Sequence, residues 1–109
     1  MEEIRIDVTK QTPEQHTLAA HYAQFVHRFN QSLPFSDEWW SLQRELFKDH
    51  IGEESLVMSP ITVVRPNAVS IGKRVVVMNG CLMMSAGTIT IEDDARIAVN
   101  VQLISNNHD

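Results

Sequence analysis

The sequence predicts a mainly β protein in which two N-terminal α-helices precede a parallel β-helix. In the first half of the chain, apolar residues recur at spacings of three and four, as on one face of a helix. From Val57 onward, short runs of Val, Ile, Met and Thr alternate with Pro and Gly, which is typical of short strands. An aliphatic residue returns every six positions within those runs, and this period indicates a β-helix.

The first helix is predicted to begin at Thr12-Pro13-Glu14. Thr12 suits the N-cap, Pro13 the first helical position, and Glu14 the positive end of the helix dipole. The apolar residues that follow at helical spacing predict one buried face, made of Leu18, Tyr22, Phe25, Val26 and Phe29.

The second helix is predicted after Pro34, which interrupts the first pattern. Ser36 can cap it, and it runs through "DEWWSLQRELFKDH", with Gly52 as the expected stop. One stripe of this helix carries Trp39, Leu42 and Leu46, with Trp40 and Phe47 beside it. We expect these aromatic side chains to pack against the part of the chain that follows.

The second half of the chain fits a six-residue template. Ile91, Ile97 and Leu103 are six apart, and a small or modest side chain follows each after four positions (Ala95, Val101 and Asn107). The same template fits Ile71 with Val75, Val77 with Cys81 and, more loosely, Met83 with Gly87. Three hexads, about 18 residues, would complete one triangular coil, and residues 91–108 form one such coil. A slip of two residues in the register near residues 88–91 predicts a small loop at one corner.

This pattern divides the chain into a helical segment, residues 1–53, and about three coils, residues 54–109. Because each coil hydrogen-bonds to the next, the final coil presents an open edge that a β-helix normally covers. We therefore expect this chain to be the N-terminal portion of a longer β-helix.

Charge and cysteine content narrow the function classes. The net charge is −5 and the basic residues are scattered, which argues against nucleic acid or an anionic membrane surface as partner. No apolar run approaches the roughly 20 residues of a membrane span, and "MEEIRID" is unlike a signal peptide. The single cysteine, Cys81, rules out an internal disulfide and fits a reducing compartment, so the expected location is the cytoplasm.

The stretch "SIGKRVVVMNGCLMMSAGTITIEDDARIAVNVQLISNNHD" resembles the hexapeptide-repeat O-acetyltransferases, in particular the maltose and galactoside acetyltransferase group. "FNQSLP" and "LQRELF" resemble the N-terminal helical segment of that group, so the resemblance covers residues 22–109. It implies a left-handed β-helix, a homotrimer, and acetyl-CoA bound as co-substrate in the groove between adjacent subunits. The acceptor would be a small hydroxylated molecule, sugar-like or other.

The resemblance also implies site residues. His108 corresponds to the histidine that removes the proton of the acceptor hydroxyl, and an imidazole is chemically suited to that role near neutral pH. Asn79 falls close to the position where these enzymes have an asparagine at the acceptor and acetyl end of the cleft. Ser85 and Ala86 fall where sugar acetyltransferases often carry an aspartate pair, and Val76 where they often have a tyrosine. The chain would stop soon after its catalytic base.

Other interpretations of the same residues remain open. His108 could belong to a solvated tail, and Asn79 before Gly80 could be a turn asparagine. Residues 92–94 are interpreted as an acidic coil corner, and no metal is expected. Cys81 fits a buried inert thiol and the methionines fit core or interface filling: Met78, Met83 and Met84. The alternative function is a truncated, non-catalytic β-helix protein or a trimerising interaction module.

Overall fold

Two helices lead into eight short strands in the computed structural model of this chain, which describes residues 13–105. The helices are α1 (Pro13–Gln31) and α2 (Asp37–Leu46). The strands are β1 (Leu56–Val57), β2 (Thr62–Val63), β3 (Val69–Ile71), β4 (Val76–Val77), β5 (Leu82–Ser85), β6 (Ile89–Ile91), β7 (Arg96–Ile97) and β8 (Gln102–Ser105). A 3-10 turn, Pro66–Ala68, precedes β3.

Helix α1 is described from Pro13, the first residue described, and its expected cap Thr12 lies outside the described residues, so the predicted start stays a prediction. Its C-terminal half buries Tyr22 and Phe29, and Phe25 and Val26 are half-buried beside them. The inclusion of Leu18 in this face is wrong, because its side chain is exposed. The described side chains of residues 13–21 are all exposed, so the first turns of α1 bury none of them.

Helix α2 has the predicted cap: the Ser36 Oγ accepts the backbone N–H of Trp39 at 3.2 Å. Its stripe and Phe47 are buried as expected, whereas Trp40 is 42% exposed, so the expectation that it is buried with them is wrong. The helix does not reach Gly52, however, because Lys48 and Asp49 adopt positive φ angles of 51° and 64° just after its end. Gly52 instead lies against the next pass of the chain, where a Cβ atom would stand 2.6 Å from the carbonyl carbon of Gly72.

The strands form parallel sheets whose partners are separated by one full pass of the chain. The sheets are β1-β4-β7, β2-β5-β8 and β3-β6, and an isolated bridge pairs Ile51 with Ile71. Leu56 pairs with Val76 and Val76 with Arg96, so the repeat is 20 residues. The expected 18-residue coil is therefore wrong by two.

The two extra residues lie at one corner in each pass. Val63 is followed after eight positions by Ile71, and Met83 likewise by Ile91, whereas the other inward positions follow at six. The predicted slip near residues 88–91 is thus confirmed, and it also occurs one pass earlier, where the 3-10 turn takes up the additional length.

The core lies inside the prism that the three sheets enclose. Large aliphatic positions of the hexads are buried, among them Val77 and Met83, and so are the small positions Val75 and Cys81. The helices extend this core, since Trp39 is fully buried and stacks on Phe29 with ring centroids 5.3 Å apart. Hydrophobic burial of both hexad positions explains why the six-residue period was visible in the sequence.

Candidate acetyl-transfer site

The chain turns from sheet to sheet at three corners. The asparagine corner (residues 59–60, 79–80 and 99–100) joins the β1-β4-β7 sheet to the β2-β5-β8 sheet. The wide corner (residues 65–68 and 86–88) carries the two extra residues, and the charged corner (residues 52–54, 72–74 and 92–94) completes each pass. The predicted site residues lie at different corners.

Asn79 occupies a tight turn at the asparagine corner. Gly80 follows it with φ +83°, a conformation that suits glycine, and donates its N–H to the carbonyl of Pro60 at 2.7 Å. The carbonyl of Asn79 accepts the N–H of Asn100 at 3.1 Å. A Cβ atom at position 80 would meet the side chain of Asn100, and a residue other than glycine would be strained at this φ. The turn interpretation of Asn79 is therefore confirmed for its backbone.

The side chain of Asn79 is half-buried, and within residues 13–105 its amide forms no hydrogen bond. A partly desolvated amide offers one acceptor and two donors, and such a group usually binds water or a ligand. Asn79 is thus available to contact a bound molecule at the asparagine corner.

Side chains of the two helices form hydrogen bonds with the first layer of this corner. The Asn30 side chain donates to the carbonyl of Ile61 and accepts its N–H, both at 2.9 Å. The indole Nε1 of Trp39 donates to the Ser59 Oγ at 3.0 Å. Because Pro60 in turn accepts from Gly80, the helices hold the layer on which Asn79 sits. "FNQSLP" therefore contributes a structural asparagine to the corner.

Ser85 lies at the other end of β5 and is fully buried. Its hydroxyl donates to the carbonyl of Arg65 at 3.1 Å and accepts the Arg65 N–H at 3.0 Å. The guanidinium of Arg65 donates to the carbonyl of Ala86 at 2.8 Å. In this arrangement the Ser85 hydroxyl ties two passes of the chain together at the wide corner, while its role in binding an acceptor stays a prediction.

The predicted site residues do not meet within one chain. Asn79 lies in the turn before β5 and Ser85 is the last residue of β5, so at about 3.3 Å per strand residue they are at most roughly 20 Å apart. Ser105, the last residue described, pairs with Ser85 at the far end of the sheet. His108 lies outside the described residues.

The acidic residues 92–94 serve the charged corner. The Oδ1 of Asp93 accepts the N–H of Lys73 at 2.8 Å, and Asp94 pairs with the Arg74 guanidinium at 2.7 Å. The predicted corner role is thus confirmed. Across the part of the chain that the structure describes, no group of three His, Cys, Asp or Glu side chains could hold a metal ion. A groove of about 820 Å³ between α2 and this corner includes neither Asn79 nor Ser85.

The methionines divide between the two sides of the sheets. Met83 is buried in the core, whereas Met78 and Met84 are each 38% exposed on the outer surface. The alternation of strand residues could have separated them, because positions one apart point to opposite faces. Met78 directly precedes Asn79, so the sequence interpretation overlooked an apolar neighbour of the candidate site.

Solved structures provide the decisive comparison. A hexapeptide-repeat acetyltransferase from Vibrio cholerae superposes with a TM-score of 0.77 at 30% sequence identity, over 84% of this chain and 51% of that protein. The hexapeptide-repeat acetyltransferase of Vibrio cholerae O1 biovar eltor, complexed with acetyl coenzyme A, superposes with a TM-score of 0.77 at 30% sequence identity. The match covers 84% of this chain and 49% of that protein. The structural neighbours of this chain are therefore hexapeptide-repeat acetyltransferases. The resemblance carried by the repeats of this chain is therefore confirmed.

A maltose O-acetyltransferase from Clostridium difficile 630 adds to the fold comparison. It superposes with a TM-score of 0.80 over 90% of this chain and 52% of that protein, at 20% identity. This chain thus spans about half the length of the solved hexapeptide-repeat acetyltransferases that it matches. No protein-family profile and no curated protein matches the chain. Neither described helix is long and apolar enough to cross a membrane.

Proposed function

We propose that this protein is an acetyl-CoA-dependent O-acetyltransferase built on a left-handed β-helix. The observation that carries the proposal is the superposition on a hexapeptide-repeat acetyltransferase with acetyl coenzyme A bound, at 30% sequence identity. The unpaired amide of Asn79 on a braced corner is a second, local argument. A cytoplasmic location and a small hydroxylated acceptor belong to the same proposal.

In the proposed reaction, His108 acts as general base. The acceptor hydroxyl oxygen attacks the thioester carbonyl carbon as the imidazole takes the hydroxyl proton. The oxyanion that forms collapses, the carbon–sulfur bond breaks, and the proton passes from the imidazolium to the departing thiolate of CoA. The products are an O-acetyl ester and CoA with a free thiol. General base catalysis of this kind typically contributes about 100- to 10,000-fold.

Asn79 is assigned to substrate orientation in this scheme. Its amide can donate a hydrogen bond to the acetyl carbonyl oxygen or accept one from the acceptor hydroxyl. A donor directed at the developing oxyanion is worth roughly 100- to 1,000-fold in kcat. The tight turn through Gly80 and the bonds from Asn30 keep the corner rigid, which such a donor requires.

The proposed homotrimer rests on the polarity of the outer surfaces. The two sheets that meet at the asparagine corner carry mostly apolar outward side chains, with Thr62, Arg96 and Gln102 as the polar ones, whereas the β3-β6 sheet carries Ser70 and Thr90. A contact between two different faces of neighbouring copies is heterologous, and it closes into a ring when the rotation allows. The outward apolar residues are Leu56, Met58, Val76 and Met78 on one sheet and Val64, Leu82, Met84 and Ile104 on the other.

The distances within one chain favour the same assembly. Because Asn79 lies at the corner before β5 and Ser85 ends β5, the two residues can serve one reaction centre only if adjacent copies contribute them. Met84→Lys and Ile104→Lys should therefore shift the protein toward monomer in sedimentation analysis, whereas Thr90→Lys on the polar sheet should not. A monomer in the unaltered protein would contradict the trimer.

The activity test measures CoA thiol release from acetyl-CoA with a panel of hydroxylated acceptors. We expect acceptor-dependent release that falls by at least about 100-fold in His108→Ala. The matched control is His27→Ala, which removes an exposed imidazole from α1. Asn79→Ala should lower kcat and leave the melting temperature close to that of the unaltered protein.

The outcomes separate the proposal from its alternative. Activity unaffected by His108→Ala would remove that residue from the mechanism. No acceptor-dependent release from a folded trimer would instead favour the non-catalytic β-helix or trimerising module.

A further inference from the structure

The groove of about 820 Å³ beside α2 lies at the charged corner of the first pass of the chain. Trp40, which is 42% exposed, and the half-buried Ile51 and Leu56 give it an apolar wall. Leu56 is also an outward residue of the β1-β4-β7 sheet, one of those assigned to the proposed contact between copies. The groove therefore adjoins that contact surface.

The rim of this groove is acidic. Asp49, Glu53 and Glu54 line it together with a single basic side chain, Arg44, and all four are exposed. Within residues 13–105 none of the three carboxylates forms a side-chain hydrogen bond or an ion pair. A guanidinium suits such a groove, because it can pair with a carboxylate and also stack on the ring of Trp40.

Arg65 presents an exposed guanidinium at the wide corner, and it is the one charged residue within residues 61–71 and 81–91. Its backbone is fixed, because the buried Ser85 hydroxyl accepts its N–H and donates to its carbonyl. Its Nη1 donates to the carbonyl of Ala86 at 2.8 Å. The other N–H groups of the guanidinium have no acceptor within residues 13–105, so they remain available to a carboxylate.

A ring of copies brings the groove and Arg65 together. In the proposed heterologous contact, each copy presents the β1-β4-β7 sheet to one neighbour and the β2-β5-β8 sheet to the other. When the prisms stand parallel to the ring axis, the asparagine corner that joins these sheets lies at the same distance from the axis in every copy. The far ends of the two sheets, at the charged corner and the wide corner, therefore face each other across each contact. The groove and Arg65 belong to the same pass of the chain, so they also lie at the same height.

We propose that the groove beside α2 receives the wide corner of an adjacent copy of this chain, whose Arg65 pairs with the carboxylates of the groove. This inference rests on the homotrimer of the proposed function and names the two surfaces that close it. Val64, 36% exposed beside Arg65, packs on the apolar wall of the groove in the same contact. Charge complementarity of this kind fixes the register of neighbouring copies and disfavours wrong pairings.

Cross-linking tests the contact directly. A variant with both Glu53→Cys and Asn67→Cys has one exposed thiol at the groove and one at the wide corner. A short bismaleimide should join neighbouring copies into covalent dimers and trimers and nothing larger, because a closed ring of three leaves no free contact. Each single variant should remain without cross-links, since Cys81 is buried. Cross-linking of Asn67→Cys alone would indicate a contact between identical corners and would overturn the inference.

Charge exchange tests the role of Arg65. Arg65→Glu should raise the protein concentration at which the trimer dissociates by about ten-fold or more, as measured by sedimentation. Glu53→Arg added to that variant restores opposite charges across the contact and should recover part of the loss. A merely local defect at the wide corner would not be recovered by a change at the charged corner. Arg28→Glu, which alters an exposed arginine on α1, is the control and should leave the dissociation unchanged.

The outcomes distinguish this inference from the proposed function. A trimer that the two-thiol variant does not cross-link would overturn the inference and leave the groove to another cationic partner. Cross-linking without recovery by charge exchange would retain the contact and overturn the role of Arg65. A monomer in the unaltered protein would overturn the trimer and this inference with it. A cross-linked trimer without acetyl transfer would overturn the catalytic proposal and leave this contact standing.

Discussion

The side-chain amide of Gln43 forms a pair of hydrogen bonds with the backbone of Val57. Its Oε1 accepts the Val57 N–H at 3.0 Å and its Nε2 donates to the Val57 carbonyl at 3.3 Å. Asn30 does the same for Ile61. Two helix side chains thus satisfy the backbone edge of the first strands, an edge that could otherwise pair with another chain. The helices act as a cap on the β-helix.

Replacing Gln43 should destabilise the protein through this edge. Gln43→Met keeps the length of the side chain but leaves the buried N–H and carbonyl of Val57 without partners. Each unpaired group costs about 1–3 kcal/mol of unfolding free energy, which urea denaturation would measure. Gln24→Met changes an exposed glutamine on α1 and should stay within about 0.5 kcal/mol. Equal effects of the two changes would contradict the capping role.

Asn30 offers a version of this experiment that depends on pH. Asn30→Asp removes the donor to the Ile61 carbonyl and places a carboxylate beside it, so stability at pH 7 should fall by about 1–3 kcal/mol. Protonation of the carboxyl restores an O–H donor, and the deficit should shrink as the pH falls. Asn67→Asp makes the same charge change at an exposed position and should show no such recovery. A deficit that is constant with pH would contradict the proposed geometry.

The Arg74–Asp94 pair at the charged corner predicts a weak acid dependence of stability. The hydrogen bond from the Arg74 guanidinium lowers the pKa of Asp94 below its usual range. A lowered pKa in the folded state contributes stability above the unfolded pKa of about 3.9 and loses it as the pH falls through the folded pKa. Because both side chains are exposed, the contribution is small and screened by salt.

Asp94→Asn tests this pair through melting temperatures measured between pH 7 and pH 2. The variant should melt slightly below the unaltered protein at pH 7 in low salt, and the two should converge at pH 2 or in 1 M salt. Glu45→Gln is the control: it neutralises an exposed carboxylate on α2, away from this pair, and should not reproduce this pH dependence. A difference between Asp94→Asn and the unaltered protein that persists at pH 2 would assign the effect to the corner backbone.

Cys81 should react slowly with thiol reagents in the folded protein. Its side chain is buried at the small position of a hexad, and burial raises the pKa of the thiol. A thiol of raised pKa is less often the reactive thiolate, so modification by a disulfide reagent should be far slower than in 6 M guanidinium chloride. Two variants serve as controls. Ser85→Cys adds a thiol at a second buried position and should react slowly, whereas Thr90→Cys adds one at an exposed position and should react rapidly. Rapid modification of the unaltered protein would contradict the packing of Cys81.

The hexad pattern could be recognised in the sequence because inward positions tolerate only aliphatic or small side chains. Val77 and Cys81 were assigned correctly for this reason. The Ser36 cap was also predictable, since it depends on local backbone donors alone. The 18-residue coil was wrong because each pass gains two residues at the wide corner, an addition that the sequence marked only as the slip near residues 88–91.

Long-range contacts could not be derived from local patterns. Helical spacing placed Leu18 on the same face as Tyr22 and Phe29, but only the C-terminal half of α1 buries side chains. The amide of Asn30 finds its partner 31 residues away, a separation that no local pattern encodes. Asn79 looked like a turn residue or a ligand contact from the sequence, and the structure shows its backbone in the turn and its side chain unpaired.

The sequence by itself determined the two helices, the six-residue period and the resemblance to hexapeptide-repeat acetyltransferases. Each of these depends on which side chains local geometry or a buried interior accepts, and that information is written along the chain. Only the tertiary structure decided that Asn79 and Ser85 lie at two different corners and that the Ser85 side chain is fully buried. Those relations depend on how passes of the chain 20 residues apart stack, and the stacking is set by hydrogen bonds between backbones that the sequence does not distinguish.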